Sequence, residues 1–379
     1  MAERCAIVGI GISDHKRVRA DLSMPGLLRE AAQRALDDAE MGWDDIEAVV
    51  FGKAPDQFEG VMQPELFLSD SMGCAGKPMI RMHTAGSVGA HTAIFGAHLI
   101  ESGLFESVLA VAFEKQSETN TARILGGGSR GGAGVAFAPS INEYIQRSGA
   151  PAHVGPMVAV KDRLNALKNP HAQLKIPDIT IEKVMESEMV IPPLRRLECC
   201  PTSDGAGAII FTSERKVPTT PRRPAWLHAS STRTEAMGHP SRSWVSPLAG
   251  QLCAQAVYPQ AGITHPLEEL DAAEIYVPFS WFEPMWLENL GIVEENKGWE
   301  LTESGATSLE GRFPVNPSGG VLSSNAIGAA GLIRCAEAAM QVRGTAGEHQ
   351  VDGARKALGH AYGGGSNYFA IWIVGADKP

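Results

Sequence analysis

Twice along this chain, an apolar strand pattern leads into an amphipathic helix, then a second strand, a small-residue turn entering another helix, and a closing strand. In the first pass AIVGIG is the strand and PGLLREAAQRALDDAEM the helix, with apolar residues at helical spacing and Pro25 near its start. IEAVVFG is the next strand, RMHTAGSVGAHTAIFGAHLIESG the turn and buried helix, and ESVLAVAFEK the strand that closes the pass. The second pass runs SPLAGQLCAQAVYPQAG (helix), AEIYVPFS (strand ending in a loop), PMWLENLG (helix), GLIRCAEAAMQVRG (helix after a glycine-rich loop) and YFAIWIVG (strand). Strand and helix alternating in this way demand a layered α/β architecture, and the repeat predicts an internal duplication.

Between the passes the pattern breaks. GGGSRGGAG, several prolines and the basic run KDRLNALKNPHAQLK predict an irregular excursion with short helices, and DGAGAIIFTSE restores a strand before the linker-like VPTTPRRP. The predicted organisation is therefore a first half over 1–116, an inserted loop region over 117–195, a return strand over 196–215 and a second half over 216–379. GGGSRGGAG lacks the lysine and Ser/Thr pair of a phosphate-cradling loop and the strand–helix setting of a dinucleotide fingerprint, so it is read as a mobile loop.

With 379 residues, 44% of them hydrophobic, the chain is long enough for two core-forming halves. A formal charge of −10 argues against a nucleic-acid or anionic-membrane surface. Cys5, Cys74, Cys199, Cys200, Cys253 and Cys335 show no CxxC spacing, so neither a metal site nor a disulfide framework is expected, and a reducing cytoplasm is the expected location. The apolar stretch near 93–113 is broken by His98, Glu101 and Glu106, and no membrane span is expected.

MGCAGKPMIRMHTAGSVG, CPTSDGAGAII, AEIYVPFSWFEPMWLENLGI and NPSGGVLSSNAIGAAG together resemble, in order and over nearly the whole length, the motifs of the thiolase superfamily, especially its sterol-carrier-protein type. The resemblance implies two similar α/β halves in a five-layered α-β-α-β-α core and a homodimer. The reactive positions depart from the family. Its nucleophilic cysteine, a thiolate favoured by the N-terminus of a helix, falls on Gly86, which has no side chain to acylate. The neighbouring Ser87 would need a base that the sequence does not identify. The histidine and cysteine of the family's HDCF motif fall on Tyr276 and Pro278, and the histidine of its GHP motif falls on Asn325.

A cysteine-free subgroup, the steroid side-chain aldolases, is similar in carrying a tyrosine at the position of Tyr276. What this resemblance implies is retro-aldol cleavage of a β-hydroxyacyl-CoA, with coenzyme A present as part of the substrate and no cofactor bound. It further implies a small zinc-ribbon and OB-fold partner subunit. The expected catalytic residues are Tyr276 as hydrogen-bond donor or shifted base, Asn325 as donor to the thioester oxygen, and His360 as acid or base. Gly86, His83, Ser87, Glu283, Ser323, Tyr362, Gly363 and Gly364 are expected to bound the substrate, Gly86 by making room for a bulky acyl group. Lys161, Arg163, Lys168 and Lys175 either attract the phosphates of coenzyme A or form a solvated face, while Cys199, Cys200 and Cys335 are expected to be packed. An acyltransferase with an unrecognised nucleophile and a non-catalytic acyl-CoA-binding subunit are the competing functional classes.

Overall fold

A computed structural model describes residues 3–125, 132–217 and 223–379; most of GGGSRGGAG and of the linker lie outside them. Among the described residues the strands are β1 (Cys5–Ile12), β2 (Ala48–Lys53), β3 (Met79–Met82), β4 (Ser107–Lys115), β5 (Met189–Ile191), β6 (Leu194–Arg195), β7 (Asp204–Ser213), β8 (Ala225–Thr234), β9 (Ala272–Glu274), β10 (Lys356–Gly363) and β11 (Tyr368–Gly375). They form a nine-stranded sheet in the order β3-β2-β4-β7-β1-β8-β11-β10-β9 and a β5-β6 ribbon.

The duplication is visible in this order. Counting outward from the seam where Ala6 and Ile7 of β1 pair with Trp226 and Ala225 of β8, the first half runs β1, β7, β4, β2 and the second runs β8, β11, β10, β9. Each half thus places its first strand, last strand, last-but-one strand and second strand in turn. The pairing senses match as well: antiparallel, antiparallel, parallel in both.

Period-two alternation sorts the first half into two faces. Ala6, Val8, Val49, Phe51, Leu109, Val111, Ala206 and Ala208 pack on the helix Met24–Ala39 through Leu27, Leu28, Ala31 and Ala35. That helix begins where Ser23 accepts a hydrogen bond from the Gly26 amide at 3.2 Å, with proline in its first turn. Ile7, Val50, Ala110 and Ile209 point the other way, into the large core that holds the helices Val88–Glu101 and Ile327–Arg343. Beyond this pair lies the second half of the same sheet, with the helix Leu248–Gln260 against β8 and β11, so the layers run helix, first half-sheet, helices, second half-sheet and helix.

Helix Ile327–Arg343 has 16 of its 17 residues buried, Cys335 among them, as an interior helix should. It crosses Val88–Glu101 at backbone contact: a Cβ on Gly89 would stand 2.7 Å from the Gly328 oxygen, and one on Gly331 would stand 2.7 Å from the Ala90 nitrogen. This glycine crossing pulls the starts of both helices to one place, and the site forms there.

Two expectations change. The excursion carries two 15-residue helices, Gly134–Ser148 and Val154–Lys168, rather than only short ones; their glycines and prolines fall mainly in the first turns, where no intrahelical N–H bond is lost. The strand read in AEIYVPFS ends at Glu274, because Ile275 donates to the Asn316 side chain instead of to a neighbouring strand.

Candidate active site

Gly86 sits in the turn after β3, and the turn does not need it. The left-handed residue is Ala85, with φ 51°, a conformation that costs a non-glycine residue roughly 1–2 kcal/mol. A Cβ built on Gly86 would find its nearest neighbours, Gly363, Ile327 and the Tyr362 oxygen, at 3.7 Å, which is ordinary contact. Neither backbone nor packing therefore requires glycine at this position. Gly363 differs: a Cβ there would lie 2.3 Å from the Ser87 nitrogen, so the end of β10 can lie against the turn only as glycine.

These elements enclose a cavity of about 430 Å³. Gly86 comes from the turn before Val88–Glu101, Asn325 from the loop before Ile327–Arg343, and Tyr362, Gly363 and Gly364 from the end of β10 and its hairpin. Tyr276 follows β9, the parallel neighbour of β10, so both phenols come from the carboxyl ends of adjacent parallel strands, where open α/β sheets place ligands. Phe137 of Gly134–Ser148, Phe279 and Pro278 add an apolar wall. Among the described residues, the lining holds no carboxylate and no imidazole, and Arg196 is its one charged side chain.

The polar groups of the cavity are linked. The Tyr276 hydroxyl donates to Asn325 Oδ1 at 3.1 Å, and Asn325 Nδ2 donates to Cys200 Sγ at 3.2 Å. The backbone of Asn325 is held on both sides, its N–H donating to Ser203 Oγ at 2.9 Å and its carbonyl accepting from Gln116 Nε2 at 2.5 Å. The Tyr276 and Tyr362 rings meet edge to face, 5.5 Å apart at 84°. Tyr362 is 3% exposed and its hydroxyl has no hydrogen-bond partner among the described residues. Burial raises both phenols above the ordinary tyrosine range, so they are neutral at physiological pH.

Other expected residues lie elsewhere. His83 is exposed and outside the lining. Ser87 is buried and its hydroxyl is committed to the Thr84 carbonyl at 2.7 Å, which also removes it as a substitute nucleophile. Glu283 is buried against Lys161 at 2.7 Å and accepts from Thr302 and Thr307, tying the helices Phe282–Asn289, Val154–Lys168 and Gly298–Glu303 together. Ser323 is buried and donates to the Asp162 carbonyl. Lys161 and Arg163 cannot meet a phosphate: the first is enclosed by Asp162, Glu283 and the Val315 carbonyl, and the second is 1% exposed. In the opposite direction, Cys199 and Cys200, expected to be packed, line the cavity. Cys200 belongs to the motif CPTSDGAGAII, but the motif did not say where its first residue points, because the segment before β7 reaches the site only through the fold.

His360 also stands outside the lining. Its side chain alternates with that of Tyr362 along β10 only by two positions, so both rings lie on one face, stacked 6.1 Å apart at 9°, with Trp286 5.7 Å from His360. Both ring nitrogens lack partners among the described residues, and burial pushes the pKa down to about 3. The unfolded chain binds a proton below its ordinary value of 6.5 and the native imidazole does not, so this residue costs stability as pH falls from 6.5 toward 3. Replacing His360 by phenylalanine will shift the unfolding free energy, relative to the parent, in the variant's favour by about 1.4 kcal/mol per pH unit below 6.5. Urea unfolding of both proteins at several acidic pH values measures it; a pH-independent difference would contradict a buried neutral imidazole.

Comparison with known proteins agrees with this geometry. Residues 230–376 match the family model described as thiolase C-terminal domain-like. The chain is 30% identical over 378 residues to an acetyl-CoA acetyltransferase of Methanothermobacter thermautotrophicus, covering 96% of this chain and 98% of that protein. It is 28% identical over 412 residues to human sterol carrier protein 2, covering 98% of this chain and 72% of that one. The solved structure titled Ltp2-ChsH2(DUF35) aldolase superposes with a TM-score of 0.86 at 25% identity, covering 99% of this chain and 98% of that chain. Sequence and fold agree, and the chain belongs to the thiolase superfamily.

Proposed function

We propose that the protein cleaves the Cα–Cβ bond of a β-hydroxyacyl-CoA by a retro-aldol reaction, releasing a ketone or aldehyde and a shorter acyl-CoA. The observation that carries this reading is the cavity itself, which offers two neutral phenols and an amide but only hydrogen at position 86. The β-hydroxyl loses its proton, the Cα–Cβ electron pair moves to Cα and is shared with the thioester oxygen, and Cα is then protonated. The proton lost by one atom is thus gained by another, and no charged base is required overall. Tyr276, neutral and donating its own hydrogen bond to Asn325 Oδ1, accepts a hydrogen bond from the β-hydroxyl and aligns it so that its proton passes to the thioester oxygen as the Cα–Cβ bond breaks and from there to Cα, while the Tyr362 hydroxyl donates to that oxygen as charge develops.

The apolar wall of Phe137, Phe279 and Pro278 suits a ring-bearing acyl group, and Arg196 is the cation available to the phosphates of coenzyme A. In the assembly, the single-sided edge of β3, beside exposed Met62, Leu66 and Phe67, supports pairing with a second copy of the chain. The two-component name of the aldolase relative supports a second, different subunit completing the acyl-CoA site.

An acyltransferase is the second reading, favoured by one observation: the Cys200 thiol in the cavity wall. A panel of acyl-CoA thioesters, offered with and without free coenzyme A and with any co-purified subunit, separates the two. Cleavage of a β-hydroxyacyl-CoA without free coenzyme A is expected; turnover only of 3-ketoacyl-CoA with free coenzyme A would replace the aldolase reading by thiolysis.

A further inference from the structure

We infer that Cys200 is a positioning residue, whose sulfur fixes the side-chain amide of Asn325 so that Oδ1 faces the Tyr276 hydroxyl. The inference rests on the role proposed for Tyr276. The amide has one contact at each end: Nδ2 donates to Cys200 Sγ at 3.2 Å and Oδ1 accepts from Tyr276 at 3.1 Å. With its backbone held by Ser203 and Gln116, the remaining freedom of Asn325 is rotation of this amide, and turning it over would exchange donor and acceptor in front of the phenol. Cys200 is itself anchored to the segment that carries Tyr276, since its N–H donates to the Pro278 carbonyl at 2.9 Å. The three side chains therefore form one unit that sets which way the Tyr276 proton points.

The same surroundings oppose a nucleophilic role. Burial pushes the thiol up to about 11, and no imidazole or carboxylate among the described residues lines the cavity to take its proton. A sulfur that stays protonated is a poor attacker but a serviceable partner for an amide.

The test compares Cys200→Ala and Cys200→Ser. Loss of one hydrogen bond in the unit should lower kcat of Cys200→Ala about tenfold with KM nearly unchanged, and serine, which also accepts from an amide, should restore most of it. Exchange of the Asn325 side-chain amide, followed by NMR in asparagine-labelled protein and assigned by its loss in Asn325→Asp, should accelerate in Cys200→Ala and return toward the parent rate in Cys200→Ser. Parental kcat and exchange in Cys200→Ala, or a serine variant as impaired as the alanine one, overturns the inference. So does an acyl group captured on Cys200 by intact mass. If the parent cleaves no β-hydroxyacyl thioester, the functional reading fails by itself, and amide exchange alone decides whether Cys200 orients Asn325.

Discussion

Tyr276→Phe will lower kcat for carbon–carbon cleavage by about 10²-fold, the order expected when a reacting hydroxyl loses the group that aligns it, while KM changes little. The ring stays in place, because its edge-to-face contact with Tyr362 and the bond from Trp286 Nε1 to the Tyr276 carbonyl do not involve the hydroxyl. What disappears is the oxygen facing the substrate and the donor to Asn325 Oδ1. Tyr362→Phe will slow turnover comparably but for a different reason, and its stability will move the other way. The Tyr362 hydroxyl is buried without a partner among the described residues, so its removal relieves an unsatisfied group worth about 1–3 kcal/mol, and the melting temperature should rise. Steady-state kinetics and thermal unfolding of both variants give the comparison. Unchanged turnover in both would take the phenols out of the reaction, and a less stable Tyr362→Phe would mean that the hydroxyl is satisfied after all. Since burial raises both phenols, their ionisation should leave the rate flat from neutral to moderately alkaline pH.

Much of the fold was legible because its elements carry local signatures: β1, β2, β4 and β11 are apolar runs, and Met24–Ala39 begins at a serine and proline that cap it. The lining of the candidate cavity was legible where a motif of the resemblance placed a residue near the meeting point of the two central helices, as with Gly86, Tyr276 and Asn325. His360 and Tyr362 show why spacing alone falls short. Both belong to one strand face, yet Tyr362, nearer the strand end, reaches the cavity while His360 is sealed beneath it by Trp286 and Phe369. Glu283 and Lys161, polar residues that look available in the sequence, neutralise each other in the interior. Cys200 opens the motif CPTSDGAGAII, but nothing local tied it to Asn325, a contact spanning 125 residues of sequence.

Gly86→Cys is expected to leave the fold nearly as stable as the parent and yet to cut turnover of a ring-bearing substrate by about 10–100-fold, the consequence of about 1–3 kcal/mol of overpacking at the reacting centre. The first half of this expectation follows from local geometry: the backbone at residue 86 is not left-handed, and an added Cβ meets nothing closer than 3.7 Å. The second follows from where that space leads, because Ile327, Tyr362 and Gly363 bound both the new side chain and the cavity. A short, unbranched β-hydroxyacyl-CoA should lose much less, so the ratio of kcat/KM values for the two substrates is the informative measurement. Alkylation with iodoacetamide, slowed by acyl-CoA and located by mass spectrometry, would verify that the new sulfur stands in the cavity. The variant should not become a thiolase, since no imidazole among the described lining residues is placed to accept its proton. If the folded variant handles bulky and slender substrates in the parental ratio, the hydrogen at position 86 is not what makes room for the acyl group, and the selectivity must come from the aromatic wall opposite.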